Sequence, residues 1–173
     1  QNGHEVAVRA VIDLGADVNK ATDDGAPPLL AAAQIGHETV VRALIEAGAD
    51  VNKATNKGET PLLVAAYHGR EVVVRALIEL GVDVNKAAAY GATALCMAAQ
   101  QDHETVERAL IEAGADVNKT NDRGATPLYI AAFQGNEAVV QALIEAGADV
   151  NKTNDLGGTP LFMAARTGSY THL

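Results

Sequence analysis

The sequence predicts an all-α solenoid of stacked helix–turn–helix units joined by hairpin-like loops. Three observations carry that reading. GADVNK occurs at Gly15, Gly48, Gly114 and Gly147, and GVDVNK at Gly81, with every step a multiple of 33 residues. A second block keeps the same period: GAPPLLAAA from Gly25, GETPLLVAA from Gly58, GATALCMAA from Gly91, GATPLYIAA from Gly124 and GGTPLFMAA from Gly157. A third, GHETVVRALIEAG from Gly36, returns as GREVVVRALIELG from Gly69 and DHETVERALIEAG from Asp102. A period of this length marks units that bury apolar surface only against their neighbours.

Within one unit the elements follow in order. Thr60 is placed to cap a helix, and Pro61 takes the first helical position, where its missing N–H does no harm. That short helix ends at Gly69, a residue free to adopt a left-handed cap. The second helix carries Val73, Ala76, Leu77 and Leu80 on one apolar face, and Gly81 closes it. The stretch from Asp83 to Gly91 is turn-rich. Ala-Ala pairs at Ala65-Ala66, Ala98-Ala99 and Ala131-Ala132 let neighbouring first helices approach closely. The period makes residues 1–168 one array: a half-unit at 3–24, full units at 25–57, 58–90, 91–123 and 124–156, and a half-unit at 157–168, with 169–173 off pattern.

Composition narrows the function. The formal net charge is −9 with no Lys/Arg cluster, which argues against nucleic acid and anionic membrane surfaces as partners. No apolar run approaches a membrane span of roughly 18 residues. The lone Cys96 forms no internal disulfide and fits a reducing compartment such as the cytoplasm without requiring one. His4, His37 and His103 share one repeat position, and repeat spacing of roughly 10 Å keeps them too far apart for a shared metal. Cys96 falls on an otherwise apolar helical position, and serine occurs only at Ser169, so neither supplies a nucleophile. No cofactor, metal or catalytic residue is expected. The series Glu38-Arg42-Glu46, Glu71-Arg75-Glu79 and Glu104-Arg108-Glu112 reads as exposed ion-pair ladders along the second helices.

The combined pattern, G-x-TPLx-x-AA followed by GH-E-VV-x-LI-x-x-GADVN, resembles the ankyrin-repeat family over essentially the whole chain. The resemblance implies a slightly curved stack of antiparallel helix pairs with hairpins projecting at right angles. It also implies non-catalytic recognition of a partner protein on the concave side, formed by hairpins and first helices. Asn19, Asn52, Asn85, Asn118 and Asn151 match asparagines that are hydroxylated in some relatives. Departures are informative. The family's histidine in TPLH is replaced by Leu30, Leu63, Cys96, Tyr129 and Phe162. Pro27 replaces a capping threonine, Ala94 a proline and Asp102 a glycine, which makes the segment Tyr90 to Asp102 the expected soft point.

The six aromatic residues avoid the second helices. Tyr129 and Phe162 share a column with apolar residues and read as packing. Tyr67 and Phe133 share one with Gln34, Gln100 and Arg166, a wet position, while Tyr90 aligns with Asp24, Lys57, Arg123 and Leu156 in the hairpins. Tyr67, Tyr90, Arg123 and Phe133, with His68, Gln100, Gln101 and Gln134, form the candidate partner-binding surface. A different class of function stays open: an architectural spacer, or a segment that self-associates end to end through its half-units, since Gly3 and Gly168 lie five periods apart. The half-units also fit a piece cut from a longer array.

Overall fold

The computed structural model describes residues 2–168, which hold ten α-helices and no strand. α1 (Asn2–Asp13) is followed by four pairs: α2 (Pro28–Ile35) with α3 (Glu38–Glu46), α4 (Pro61–Tyr67) with α5 (Glu71–Glu79), α6 (Ala94–Gln101) with α7 (Glu104–Glu112), and α8 (Pro127–Gln134) with α9 (Glu137–Glu145). α10 (Pro160–Gly168) closes the series. Successive even-numbered helices pack on one another as an inner row, and successive odd-numbered helices form an outer row. Tyr170 and the rest of the off-pattern tail lie outside the described residues.

The core is a ladder of equivalent side chains. Leu29, Leu62, Leu95 and Leu128 of the inner row meet Leu44, Leu77, Leu110 and Leu143 of the outer row, all buried. The paired alanines are buried too, and with no longer side chain between them the inner helices sit close. Thr60, Thr93 and Thr126 cap α4, α6 and α8, each Oγ1 accepting from the backbone N–H three residues on, at 3.2, 3.3 and 3.1 Å. Pro27 leaves α2 without a side-chain cap, as its chemistry requires. Asp102 takes the left-handed conformation (φ 60°) that Gly36 and Gly135 take at its place.

Three expectations need correction. Leu80 does not join the buried face of α5; it caps the helix and is exposed, at a place where Ala47, Ala113 and Ala146 of other units are also only half-covered. The ion pairs do not climb each helix. The first rungs form along the helix, Arg42 to Glu38, Arg75 to Glu71 and Arg108 to Glu104 at 3.0 Å, but Glu46 bonds Arg9 and Glu112 faces Arg75 of the preceding unit. A glutamate N-terminal to its arginine is the better helical pair, and stacking brings the last-turn glutamate to the neighbouring helix instead. Thirdly, the rings of His4 and His37 stack with centroids 5.6 Å apart and an interplanar angle of 24°, closer than the repeat spacing implied.

One buried group has no equivalent elsewhere. Glu107 stands on α7 where other units carry Val8, Val41, Val74 and Val140. It is 0% exposed, and neither carboxyl oxygen has a hydrogen-bond partner. Burial pushes its pKa up to about 8, so the proton stays on at neutral pH.

Candidate functional site

The connectors are hairpins without strands. In each, a backbone N–H closes the turn onto a carbonyl four residues ahead, as from Thr22 to Ala26, Thr55 to Glu59, Ala88 to Ala92, Asn121 to Ala125 and Asn154 to Gly158. Each tip also donates to the one before: Asn56 to Asp24, Ala89 to Lys57, Asp122 to Tyr90 and Asp155 to Arg123. The tips are therefore one continuous backbone-bonded edge, and side chains along it are held at fixed intervals. The turn residues before α5, α7 and α9 tie back to the preceding inner helix. Arg70 Nε donates to the Gln34 carbonyl at 3.0 Å, His103 Nε2 to that of Tyr67 at 3.1 Å, and Asn136 Nδ2 to that of Ala99 at 2.8 Å.

Between hairpins and inner helices lie two hollows. The larger, about 600 Å³, is walled by Arg123, Tyr129, Ile130, Phe133 and Leu156. Asn154 fixes two of its walls: Nδ2 donates to the Tyr129 hydroxyl at 3.1 Å, and Oδ1 accepts from the Leu156 backbone at 3.1 Å. Leu156 is 93% exposed. The smaller hollow, about 330 Å³, is walled by Leu63, Val64, Tyr67, His68 and Met97. Here the Tyr67 and His68 rings meet edge to face at 5.0 Å.

Of the residues singled out from sequence, Arg123 and Phe133 meet in the larger hollow, and Tyr67 and His68 in the smaller. Tyr90 stands at a hairpin tip, 82% exposed, and lines neither. Gln100, Gln101 and Gln134 sit at the ends of α6 and α8, also outside both hollows. Tyr129 is half-buried, so packing and the hollow share it. Leu156, Ile130, Val64 and Met97 were not singled out. Leu156 carried a signal: it is the aliphatic member of a column otherwise holding Asp24, Lys57, Tyr90 and Arg123.

Cys96 is buried, and burial pushes its thiol pKa up, away from the reactive thiolate. Among the described residues no three His, Cys, Asp or Glu side chains are grouped to hold a metal ion. None of their helices is long and apolar enough to cross a membrane.

Comparison with known proteins decides the family. Residues 1–88 and 82–154 match the family model described as ankyrin repeats (3 copies). The chain belongs to the ankyrin-repeat family. Curated proteins give no match. Ankyrin repeats are generally protein–protein interaction modules and generally non-catalytic, and the helical array described above is the ankyrin solenoid. In ankyrin terms, the two hollows fall on the side made by hairpins and first helices.

Proposed function

We propose that the protein is a non-catalytic recognition scaffold that binds a partner protein through its concave face, the hairpins and inner helices. One observation carries this reading. Phe133 and Leu156, both exposed, flank a hollow that Arg123 borders and Tyr129 backs. Phe133 shares its column with Gln34, Gln100 and Arg166, and Leu156 with Asp24, Lys57 and Arg123, so array stability requires neither. Aromatic and arginine side chains in a partly enclosed site are the usual anchors of protein interfaces. They sit on a backbone already fixed by caps and hairpin bonds, which limits the entropy lost on binding. The acidic balance of −9 disfavours nucleic acid and anionic membranes as partners.

The outer row offers a contrasting surface. Its exposed side chains include arginines and glutamates paired along and between helices, a solvated face whose bonds are already made.

A displayed library of folded domains and peptides, selected against the purified protein, tests the proposal. Selected binders should lose at least tenfold in affinity for Phe133→Ala and Leu156→Ser, and keep it for Arg42→Ala on the outer row. Binders that ignore the first two changes and depend on the outer row would refute it.

A further inference from the structure

The smaller hollow gathers departures from the repeat. It lies between the hairpins at 22–26 and 55–59 and the inner helices, with Asp24, Glu59, Leu63, Tyr67, His68 and Met97 in its walls. Glu59 occupies a place where other units carry Ala26, Ala92, Ala125 and Gly158. Tyr67, 38% exposed, shares its column with Gln34, Gln100, Phe133 and Arg166. Stacking therefore requires neither a carboxyl group at the first place nor a ring at the second, yet both line one cavity.

The two carboxyl groups come from adjacent hairpins, and each is steered by a threonine of its own hairpin. Asp24 Oδ1 accepts from the Thr22 hydroxyl, and Glu59 Oε2 from the Thr55 hydroxyl at 3.2 Å. The Thr22 bond, with the Ala26 backbone behind it, holds the Asp24 carboxyl below the usual carboxylate range, and Lys57 adds a smaller pull. Lys57 itself does not line the hollow, and no lysine or arginine does among the described residues. A carboxylate accepts several hydrogen bonds, so both groups keep capacity for an incoming donor. Behind them the wall is apolar: Leu30 and Leu63 are buried and Met97 is half-buried. The Tyr67 ring is braced against His68, edge to face.

Resting on the concave-face reading above, we propose that this hollow takes an arginine side chain of the partner protein. Its aliphatic stem covers the leucine and methionine wall while its charged head meets the carboxyl groups. A guanidinium suits the place better than an ammonium, because its planar array of N–H donors serves two acceptors and its face stacks on a ring. The larger hollow differs: Arg123 and Asp155, one charge of each sign, are both among its walls. Only the smaller hollow is lined by carboxyl groups without a lysine or arginine, so the basic group of the partner is directed to one end of the face and the partner is oriented along the array. The net charge of −9 draws a basic surface toward it at long range.

Double-mutant cycles on binders from a displayed library of peptides and folded domains test this. The variants are Glu59→Ala and Tyr67→Gln, both residue types that other units carry at these places, and circular dichroism checks that each keeps its helices. Binders weakened by Tyr67→Gln should share an arginine. For these, Glu59→Ala should cost about tenfold or more in affinity, as should changing the binder's arginine to glutamine. The two changes together should cost little more than either alone, and lysine in place of arginine should recover only part of the loss. Binders that lose affinity for Phe133→Ala and Leu156→Ser, but carry no shared basic residue and ignore Glu59→Ala, would overturn this proposal and leave the concave-face reading standing. Binders that ignore all four changes and depend on the outer row would overturn both.

Discussion

The helix pairs α6–α7 and α8–α9, each taken with the hairpin that enters it, have the same fold and stack through the same columns, yet differ at four places that bear on stability. The hairpin entering the second is braced by Asn121, whose Oδ1 accepts from the Arg123 and Ala125 backbones at 2.9 and 3.1 Å. Ala88 at that place can make no such bond, and the turn there is a short 3₁₀ segment with Tyr90 left-handed at φ 62°. Pro127 opens α8, where α6 has Ala94. Gly135 ends α8 in the left-handed conformation that Asp102 must adopt after α6. Val139 and Val140 pack under α9, where α7 has Val106 and the unpartnered Glu107. Stacking against neighbours imposes the fold on both units, while local chemistry sets how firmly each is held.

The difference should be removable one residue at a time. Glu107→Val has the largest expected effect, a gain of about 3 kcal/mol at neutral pH, since it removes a buried carboxyl without partners. Thermal or urea unfolding measures it. The same residue sets a pH dependence. Between its ordinary value of 4.5 and its folded value of about 8, the folded protein keeps a proton that the unfolded chain has released. Glu107 should therefore lower stability by up to about 1.4 kcal/mol per pH unit as pH rises through that window, and the slope should vanish in the valine variant. A denaturation series across that window checks the sign.

Next in size, Thr126→Ala should weaken the firmer unit by about 1 kcal/mol through loss of the α8 cap. Ala88→Asn should restore the hairpin brace and add about 0.5–1 kcal/mol, read from the urea midpoint. Smallest is Asp102→Gly, expected to gain about 0.5 kcal/mol or less: relief of left-handed strain is partly offset by the greater freedom of glycine in the unfolded chain.

Most of this fold was legible because the period repeats each physical requirement several times. The caps at Thr60, Thr93 and Thr126, the missing cap at Pro27 and the left-handed Asp102 all follow from residue type at a known place in the unit. Interactions between units were less legible, since a linear series such as Glu38-Arg42-Glu46 does not reveal that Glu46 will reach Arg9. Glu107 was readable in principle, as the one charge in a valine column, but its neighbour Val106 also suits burial and hides the change of character. On the candidate surface, exposure at Tyr67, Phe133 and Tyr90 followed from polar residues in their columns. Which rings share a hollow did not, because that depends on how hairpin and helix converge: Leu156 reaches Phe133's hollow, and Tyr90 stands clear of both.

Native-state hydrogen exchange, resolved to single amides and corrected for intrinsic chemical rates, tests most directly that local residues, chiefly Glu107, set the weak point. Amides of α6 and α7 should open with lower free energy than those of α4, α5, α8 and α9. The gap should widen between pH 5 and pH 8 by roughly the linkage of one proton, and close in Glu107→Val. Uniform protection across the three units, or a gap indifferent to both pH and the substitution, would contradict the account.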